Sequence, residues 1–150
     1  MRITLNTDYS LRVLMFVATK VDALATIQEI ADAFDISRAH LMKVVHQLGL
    51  KGYVETVRGK NGGLRLLKSA AEVRIGAVVR DTEEELAVLG CLDTPGYCAI
   101  QRACILRNAF NDATKAFLAV LDEYTLADLV KPRAILSRML GIEANAKAAP

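Results

Sequence analysis

The first part of the chain carries apolar residues at the spacing of helices. Four of them recur three or four positions apart and predict a helix over 7–20, with Thr7 as its cap: Leu11, Leu14, Met15 and Ala18. Thr26 and Glu29 have the spacing of a capping box, in which each residue satisfies a backbone N–H near the other. A second, short helix is therefore expected over 26–34.

The third predicted helix is amphipathic. A tight connection at Asp35 and Ile36 leads to Ser37, which caps a helix over roughly 38–50. Its apolar positions are expected to point inward: Leu41, Val44, Val45 and Leu48. The polar residues between them are left on the outer face, so this helix combines a buried side with a polar, basic one.

The pattern then changes to the period of strands. Residues 53–57 alternate, 58–63 form a turn rich in Gly and Asn, and 64–67 return as a second strand. A short helix is expected over 74–80. Two short helices, a tight turn, a basic helix and a hairpin follow one another in the order of a winged helix-turn-helix.

The second half of the chain predicts a loop and a long helix. Residues 87–103 have no clear period and contain Gly and Pro, which indicates a loop. A helix over 104–124 carries an apolar stripe that suits a partner helix: Leu106, Phe110, Ala113, Phe117, Val120 and Tyr124. Thr125 and Asp128 open a last helix that runs to about 140, and 143–150 are expected to form a flexible tail.

Charge is unevenly distributed, although the net charge is only +2. Residues 36–68 contain seven Lys or Arg and one acid, Glu55, whereas 81–93 contain five acids and no base. A basic block on one helix and one hairpin favours a duplex DNA site. The candidate DNA contacts are Ser37, Arg38, His40 and Lys43 on the helix and Arg58, Lys60, Asn61 and Arg65 on the wing. A winged helix used for protein contact is the alternative, and salt-sensitive duplex binding separates the two.

Composition argues against other classes. The sequence has no apolar run near the roughly 18 residues needed to span a bilayer, and its beginning lacks the features of a signal peptide, so a cytoplasmic protein is expected. Its two histidines, His40 and His46, both fall on the basic helix. Since no nucleophile, base and orienting group are evident together, an enzyme is not expected.

Three cysteines provide the candidate chemistry: Cys91, Cys98 and Cys104. Their gaps of six and five residues match neither a zinc finger nor a dithiol oxidoreductase. Three thiolates on a flexible loop that ends at a helix start can converge on an iron–sulfur cluster, because that end of a helix favours negative charge. The alternatives are three buried apolar side chains, or a zinc- or thiol-dependent module that contacts other proteins.

Several segments together resemble a known family over nearly the whole chain. They are MRIT and DYSLRVL at the beginning, ISRAHLMKVVHQLGLKGYVETVRGKNGGLRL, the three-cysteine loop, and EYTLADLV. They are similar to the Rrf-type winged-helix regulators, and within that family to its nitric oxide-sensing repressors. The resemblance implies a homodimer formed through the long helix and a cluster that nitric oxide attacks, with [4Fe-4S] favoured and [2Fe-2S] possible. In members that hold [4Fe-4S], an aspartate near the N-terminus completes the coordination, and Asp8 is the matching position.

The regulators of iron–sulfur biogenesis in the same family are also similar, but they carry a histidine three residues after the third cysteine. This chain has Arg107 there. The expected fold is therefore mainly α with a small β-hairpin wing, divided into a DNA-binding domain over 1–80, a cluster-binding loop over 81–103, dimerisation helices over 104–142 and the tail. The expected function is a repressor that binds an inverted-repeat operator and releases it in nitric oxide. A redox-responsive or biogenesis regulator of the same family is the alternative.

Overall fold

The computed structural model describes residues 2–142. Helices α1 (Leu5–Thr19), α2 (Ile27–Phe34) and α3 (Arg38–Leu50) come first, followed by strands β1 (Val54–Val57) and β2 (Gly63–Leu66) and helix α4 (Ile75–Thr82). The second half contains α5 (Gly90–Asp93), a 3-10 turn (Gln101–Ala103), α6 (Ile105–Asp122), α7 (Leu126–Leu129) and α8 (Arg133–Met139). The predicted fold class, mainly helical with one hairpin, is confirmed. The predicted tail at 143–150 lies outside the described residues.

Local capping signals set the helix-turn-helix. The capping box of Thr26 and Glu29 is present at the start of α2. Asp35 ends that helix in the left-handed region, with φ of 52°, a conformation that aspartate tolerates better than most residues. Ser37 then caps α3 by accepting a hydrogen bond from the N–H of His40. The turn between α2 and α3 is therefore set by the backbone conformation of Asp35 and the cap of Ser37.

The predicted start of the first helix is wrong by two residues. Thr4 is the cap, and its hydroxyl accepts a hydrogen bond from the N–H of Thr7. Thr7 lies inside the helix and is buried, where its own hydroxyl receives a hydrogen bond from Thr82 at 2.9 Å. Both threonines are good caps by type, and the contact with α4 decides which one serves as the cap.

The wing is a two-stranded antiparallel hairpin that pairs Val54 with Leu66 and Val57 with Gly63. Ala25 and Leu64 exchange two backbone hydrogen bonds, which fasten the hairpin to the segment before α2. A Cβ at Gly63 would lie 2.7 Å from the carbonyl oxygen of Ala25, so this close approach requires glycine.

Helix α7 completes the core formed by the first part of the chain. Leu126 is fully buried, and Val130 joins it in the cluster formed by α1, α2, α3 and the wing. The residues predicted as one last helix form two, because Pro132 stands between α7 and α8 and interrupts helical hydrogen bonding. Residues 125–142, grouped with the dimerisation helix in the sequence-based division, thus pack against the first domain.

Two features join α6 to this domain at its end. Arg80 of α4 makes a bidentate ion pair with Asp122, with N–O distances of 2.7 and 2.6 Å. A Cβ at Gly76 would lie 2.1 Å from the same carboxylate. The glycine thus lets α4 and α6 approach closely enough for the ion pair to form. Among the described residues, no helix has the length and apolar character needed to cross a membrane.

Candidate nucleic-acid interface and cysteine site

The first turns of α3 present polar side chains to solvent. Four predicted DNA contacts are exposed there: Ser37, Arg38, His40 and Lys43. Four apolar residues of the same helix are buried on the opposite side, which fixes the rotation of α3 on the core. A helix of 13 residues held in this way fits the major groove of DNA with its first turns foremost.

The wing places a second group of polar residues at the end of the hairpin. Arg58, Lys60 and Asn61 are exposed in the turn. The turn can be this tight because Gly62 has no Cβ, which would lie 2.3 Å from the carbonyl oxygen of Val57. Arg65 is also exposed, but it forms an ion pair with Glu55, its partner across the two strands. The structure therefore leaves Arg65 less free to contact DNA than the turn residues.

Four of the predicted contacts keep an unneutralised charge. Across residues 2–142, the ion pairs of the structure involve none of these four: Arg38, Lys43, Arg58 and Lys60. They belong to one helix and one hairpin of the same domain. Unpaired, exposed cations grouped in this way favour a polyanion such as a DNA backbone.

Sequence reasoning missed an aromatic contact behind α3. The ring of Tyr9 in α1 meets the ring of His40 edge to face, with centroids 5.0 Å apart. Arg12 lies 5.9 Å above the Tyr9 ring and also pairs with Asp8, with an N–O distance of 2.8 Å. The predicted cluster ligand Asp8 is thus linked through Arg12 and Tyr9 to the helix proposed to read DNA. The spacing of Asp8 and Arg12, one helical turn apart, was the available signal.

The three cysteines are free thiols. Cys91 and Cys104 are half-buried and Cys98 is exposed. Within residues 2–142, the structure brings no three His, Cys, Asp or Glu side chains into a metal-binding group. One chain alone therefore presents the predicted ligands without assembling them, and Asp8 lies on α1 rather than on the cysteine loop.

Two polar side chains brace the loop around Cys91. The amide of Gln101 donates to the carbonyl oxygens of Cys91 and Thr94 and accepts from the N–H of Gly96. The guanidinium of Arg107 donates to the same Cys91 carbonyl at 3.0 Å. Arg107 stood out in the sequence only because related regulators have a histidine at that position. No feature of the sequence indicated a role for Gln101.

The chemistry of the loop suits an anionic group bound by thiolates. Cys98 lines a cavity of about 550 Å³ together with Arg102 and Arg107, which outnumber the one acid there, Asp93. Cys104 is the residue before α6, a helix that begins without a side-chain cap, so the N–H groups of its first turn favour a nearby negative charge. Thiolates are the ligands that iron–sulfur clusters use. The donor set therefore fits such a cluster in kind.

Helix α6 is largely uncovered. All 18 of its residues are exposed or only partly buried, including Leu106 at 61% and Val120 at 55% exposure. Phe110 and Phe117, in the middle of the predicted stripe, are half-buried, and Phe117 lines a cavity with Ile3. The stripe is thus divided in the single chain. Its two phenylalanines are half-covered, while its other members remain exposed: Leu106, Ala113, Val120 and Tyr124.

A winged helix-turn-helix with an exposed basic reading helix and wing defines the class: a DNA-binding transcription regulator. The family model that matches residues 3–132 is Rrf2, described as an iron-dependent transcriptional regulator. The chain belongs to the Rrf2 family. Its function is therefore transcriptional regulation rather than catalysis, as the sequence predicted.

Curated relatives and solved structures agree with this assignment. The chain is 50% identical over 142 residues to the HTH-type transcriptional regulator NsrR of Geobacillus kaustophilus and 46% identical over 142 residues to NsrR of Bacillus subtilis, covering 93% of this chain and 97% of each relative. The oxidised form of Staphylococcus aureus CymR matches with a TM-score of 0.71 and 25% identity over 87% of this chain and 97% of that one. The predicted membership of the NsrR branch of the family is confirmed.

Proposed function

We propose that this chain is a homodimeric repressor that works in the cytoplasm, binds an inverted-repeat operator and releases it when nitric oxide attacks an iron–sulfur cluster. One observation carries the proposal. Three free thiols lie on the segment that leads into the exposed helix α6, in the same chain as an exposed basic winged helix. The proposed sensing site and the DNA-reading site are thus joined through a helix of which no residue is fully buried in the single chain.

The cluster ligands in this proposal are Cys91, Cys98 and Cys104, with Asp8 of a second copy as the fourth. When bound, a [4Fe-4S] cluster, or less favourably a [2Fe-2S] cluster, would supply iron with which nitric oxide reacts. A carboxylate is a harder ligand than thiolate and holds such iron less firmly. Within its own chain Asp8 pairs with Arg12, so a role as ligand requires that Arg12 give up this carboxylate.

Loss of the cluster would change the contacts of residues that support α3. Arg12 lies above the ring of Tyr9, and Tyr9 meets His40. A change of partner at Asp8 therefore alters the groups that support the start of the reading helix. In parallel, a loop no longer held at Cys91, Cys98 and Cys104 relaxes at the start of α6. Small shifts of this kind are amplified where an interface has two packings.

The dimer in this proposal forms through the apolar stripe of α6. Two-fold symmetry would place two copies of α3 roughly 34–36 Å apart, one turn of DNA, which calls for an inverted repeat. The recognition helix supplies base contacts through Ser37, Arg38 and His40, and a phosphate contact through Lys43. The wing supplies backbone contacts through Arg58, Lys60, Asn61 and Arg65. In this proposal 1–80 reads DNA, 81–103 senses and, of the predicted dimerisation segment 104–142, α6 forms the dimer, because 125–142 pack against the first domain.

The test is anaerobic purification followed by titration with nitric oxide. We expect brown protein that contains iron and sulfide, and salt-sensitive binding to a duplex selected by the protein from a random-sequence pool. Nitric oxide should bleach the visible absorbance and release the duplex over the same range of additions. Colourless protein that contains one zinc and binds no duplex would contradict the proposal.

A cysteine variant sharpens this test. Cys98→Ser should lose the iron and weaken binding to the selected duplex by at least about tenfold, roughly 1.4 kcal/mol. The fold should survive because Cys98 is exposed. Thr94→Ala in the same loop is the matched control, since it leaves all three thiols in place. Tight binding by iron-free Cys98→Ser that ignores nitric oxide would separate the cysteines from the regulation.

A further inference from the structure

Met42 is a large apolar residue on the outer face of the reading helix. It is 58% exposed, although it directly follows Leu41, which is fully buried. Successive residues of a helix are turned by about 100°, so Met42 points away from the side that packs on the core. Ala39, three positions earlier, is exposed on the same flank. Together they form a small apolar surface in the first turns of α3.

The surroundings of Met42 indicate what it faces. One exposed methionine is ordinary on a protein surface. Here, however, the neighbours one turn away along the helix are Arg38 and His46, and Lys43 is the next residue. All three are exposed, and Arg38 and Lys43 keep unneutralised charges. The apolar surface thus lies inside the positive field that draws a DNA backbone to this helix.

The other flank of the helix start lies beside α1. The ring of His40 leans on Tyr9 of α1, with centroids 5.0 Å apart. His40 therefore marks the side of the helix that turns toward α1. Ala39, Met42 and Lys43 lie on the side that remains uncovered, where a groove of DNA can approach.

We propose that Met42, with Ala39 beside it, reads a thymine through van der Waals contact with its C5 methyl group. This inference rests on the proposed operator binding through α3 and assigns a base to it. In the major groove, thymine presents a methyl group where the other bases present hydrogen-bonding groups or a plain ring edge. The thioether of methionine is flexible, polarisable and a poor hydrogen-bonding group, so it favours the methyl group over those edges. The short side chain of Ala39 leaves room for the base.

The test replaces thymine by deoxyuridine, which pairs in the same way and lacks the methyl group. The probe is the duplex selected by the intact, cluster-loaded protein from a random-sequence pool. In each remade duplex, one thymine position is changed to deoxyuridine in both half-sites. At the thymine that Met42 contacts, the substitution should weaken binding by wild-type protein about fourfold per half-site, the ratio expected for burying one methyl group. Met42→Ala should bind the thymine duplex more weakly than wild type and should not distinguish it from the deoxyuridine duplex.

Two further variants separate contact from structure. Met42→Leu keeps an apolar side chain of similar size and should retain part of the preference for thymine. Lys43→Ala should weaken binding to both duplexes alike, because a cation on a phosphate does not sense the methyl group. Equal melting temperatures of the three variants would show that the fold is intact, as expected for exposed positions.

The outcomes distinguish this inference from the proposed function. Wild-type protein that binds every deoxyuridine duplex as tightly as the thymine duplex would overturn the assignment of Met42 and leave operator binding standing. So would a Met42→Ala variant that keeps the full preference of wild type. Wild-type protein that binds no duplex in a salt-dependent manner would overturn both.

Discussion

The reading helix α3 and the long helix α6 use their apolar residues in opposite ways. In α3, four apolar residues are buried: Leu41, Val44, Val45 and Leu48. Its outer face is mostly polar and basic, with Met42 and Leu50 as exposed apolar residues. In α6, none of the 18 residues, all of them described, is buried, although its predicted stripe is equally regular. The difference teaches that amphipathic spacing shows where a helix can pack, but not whether the partner is its own chain. We infer that α3 belongs to a finished domain and α6 to an interface that a second copy completes.

The largest expected effect comes from truncating one leucine in each of the two helices. Leu41→Ala should lower the free energy of unfolding by about 2–5 kcal/mol, because Leu41 is fully buried and its loss leaves a cavity. Leu106→Ala should cost less than about 0.5 kcal/mol in dilute solution, because Leu106 is 61% exposed. Urea unfolding at several protein concentrations measures both.

The same measurement shows whether α6 acquires a partner. The loss caused by Leu106→Ala should grow with protein concentration as dimers form, whereas the loss caused by Leu41→Ala should be present at every concentration. Equal losses for the two variants in dilute solution would mean that α6 is packed within its own chain, against the contrast drawn here.

A smaller effect is expected on the DNA-binding side. Lys60→Ala should weaken binding to all duplexes alike and reduce the slope of log affinity against log salt by about 0.9, because one phosphate contact is lost. Arg65→Ala is the matched control on the same hairpin. Its slope should change less, since Arg65 already pairs with Glu55. If Lys60→Ala left the slope unchanged, the wing would not contact the DNA phosphates.

The smallest expected effect concerns the joint between the two regions. Hydrogen bonds from Arg80 lower the pKa of Asp122 below its ordinary value of 3.8, so the ion pair stabilises the fold above that pH and is lost as pH falls through the lowered pKa. Arg80→Gln should therefore lower the melting temperature by about one to three degrees at pH 7. The difference from wild type should shrink below pH 4. A difference that stays constant down to pH 2 would assign the effect to packing rather than charge.

Elements that depend on short-range signals were predicted well from the sequence. The capping boxes of Thr26 with Glu29 and of Thr125 with Asp128 are both present, because each needs residues only three positions apart. The start of α1 was not, because the burial of Thr7 depends on Thr82, 75 positions along the chain. The spacing of apolar residues does not reveal a contact between residues so far apart in the sequence.

The candidate site shows the same limit. The basic residues of α3 and the wing were identified by type, but the ion pair of Arg65 with Glu55 follows from the register of the hairpin. The stripe of α6 was found by its spacing. The sequence did not indicate the bidentate pair of Arg80 with Asp122, which joins α6 to α4, or the partial burial of Phe110 and Phe117. The bracing of the cysteine loop by Gln101 had no counterpart in the sequence pattern.

The burial of α7 gives the chain the layout of an insertion. The backbone of Arg74, just before α4, bridges that of Thr125, just before α7, so α4, the cysteine loop and α6 together form an excursion from the domain whose two ends are joined. Leu126 then fills a place in the core that α1–α4 alone leave open. Cutting the chain after α4 would remove part of that core, whereas we expect changes of length between α4 and α6 to leave the bridge of Arg74 with Thr125 in place. If the cysteine loop senses a signal as proposed, we expect it to be replaceable by another sequence while the winged helix keeps its fold.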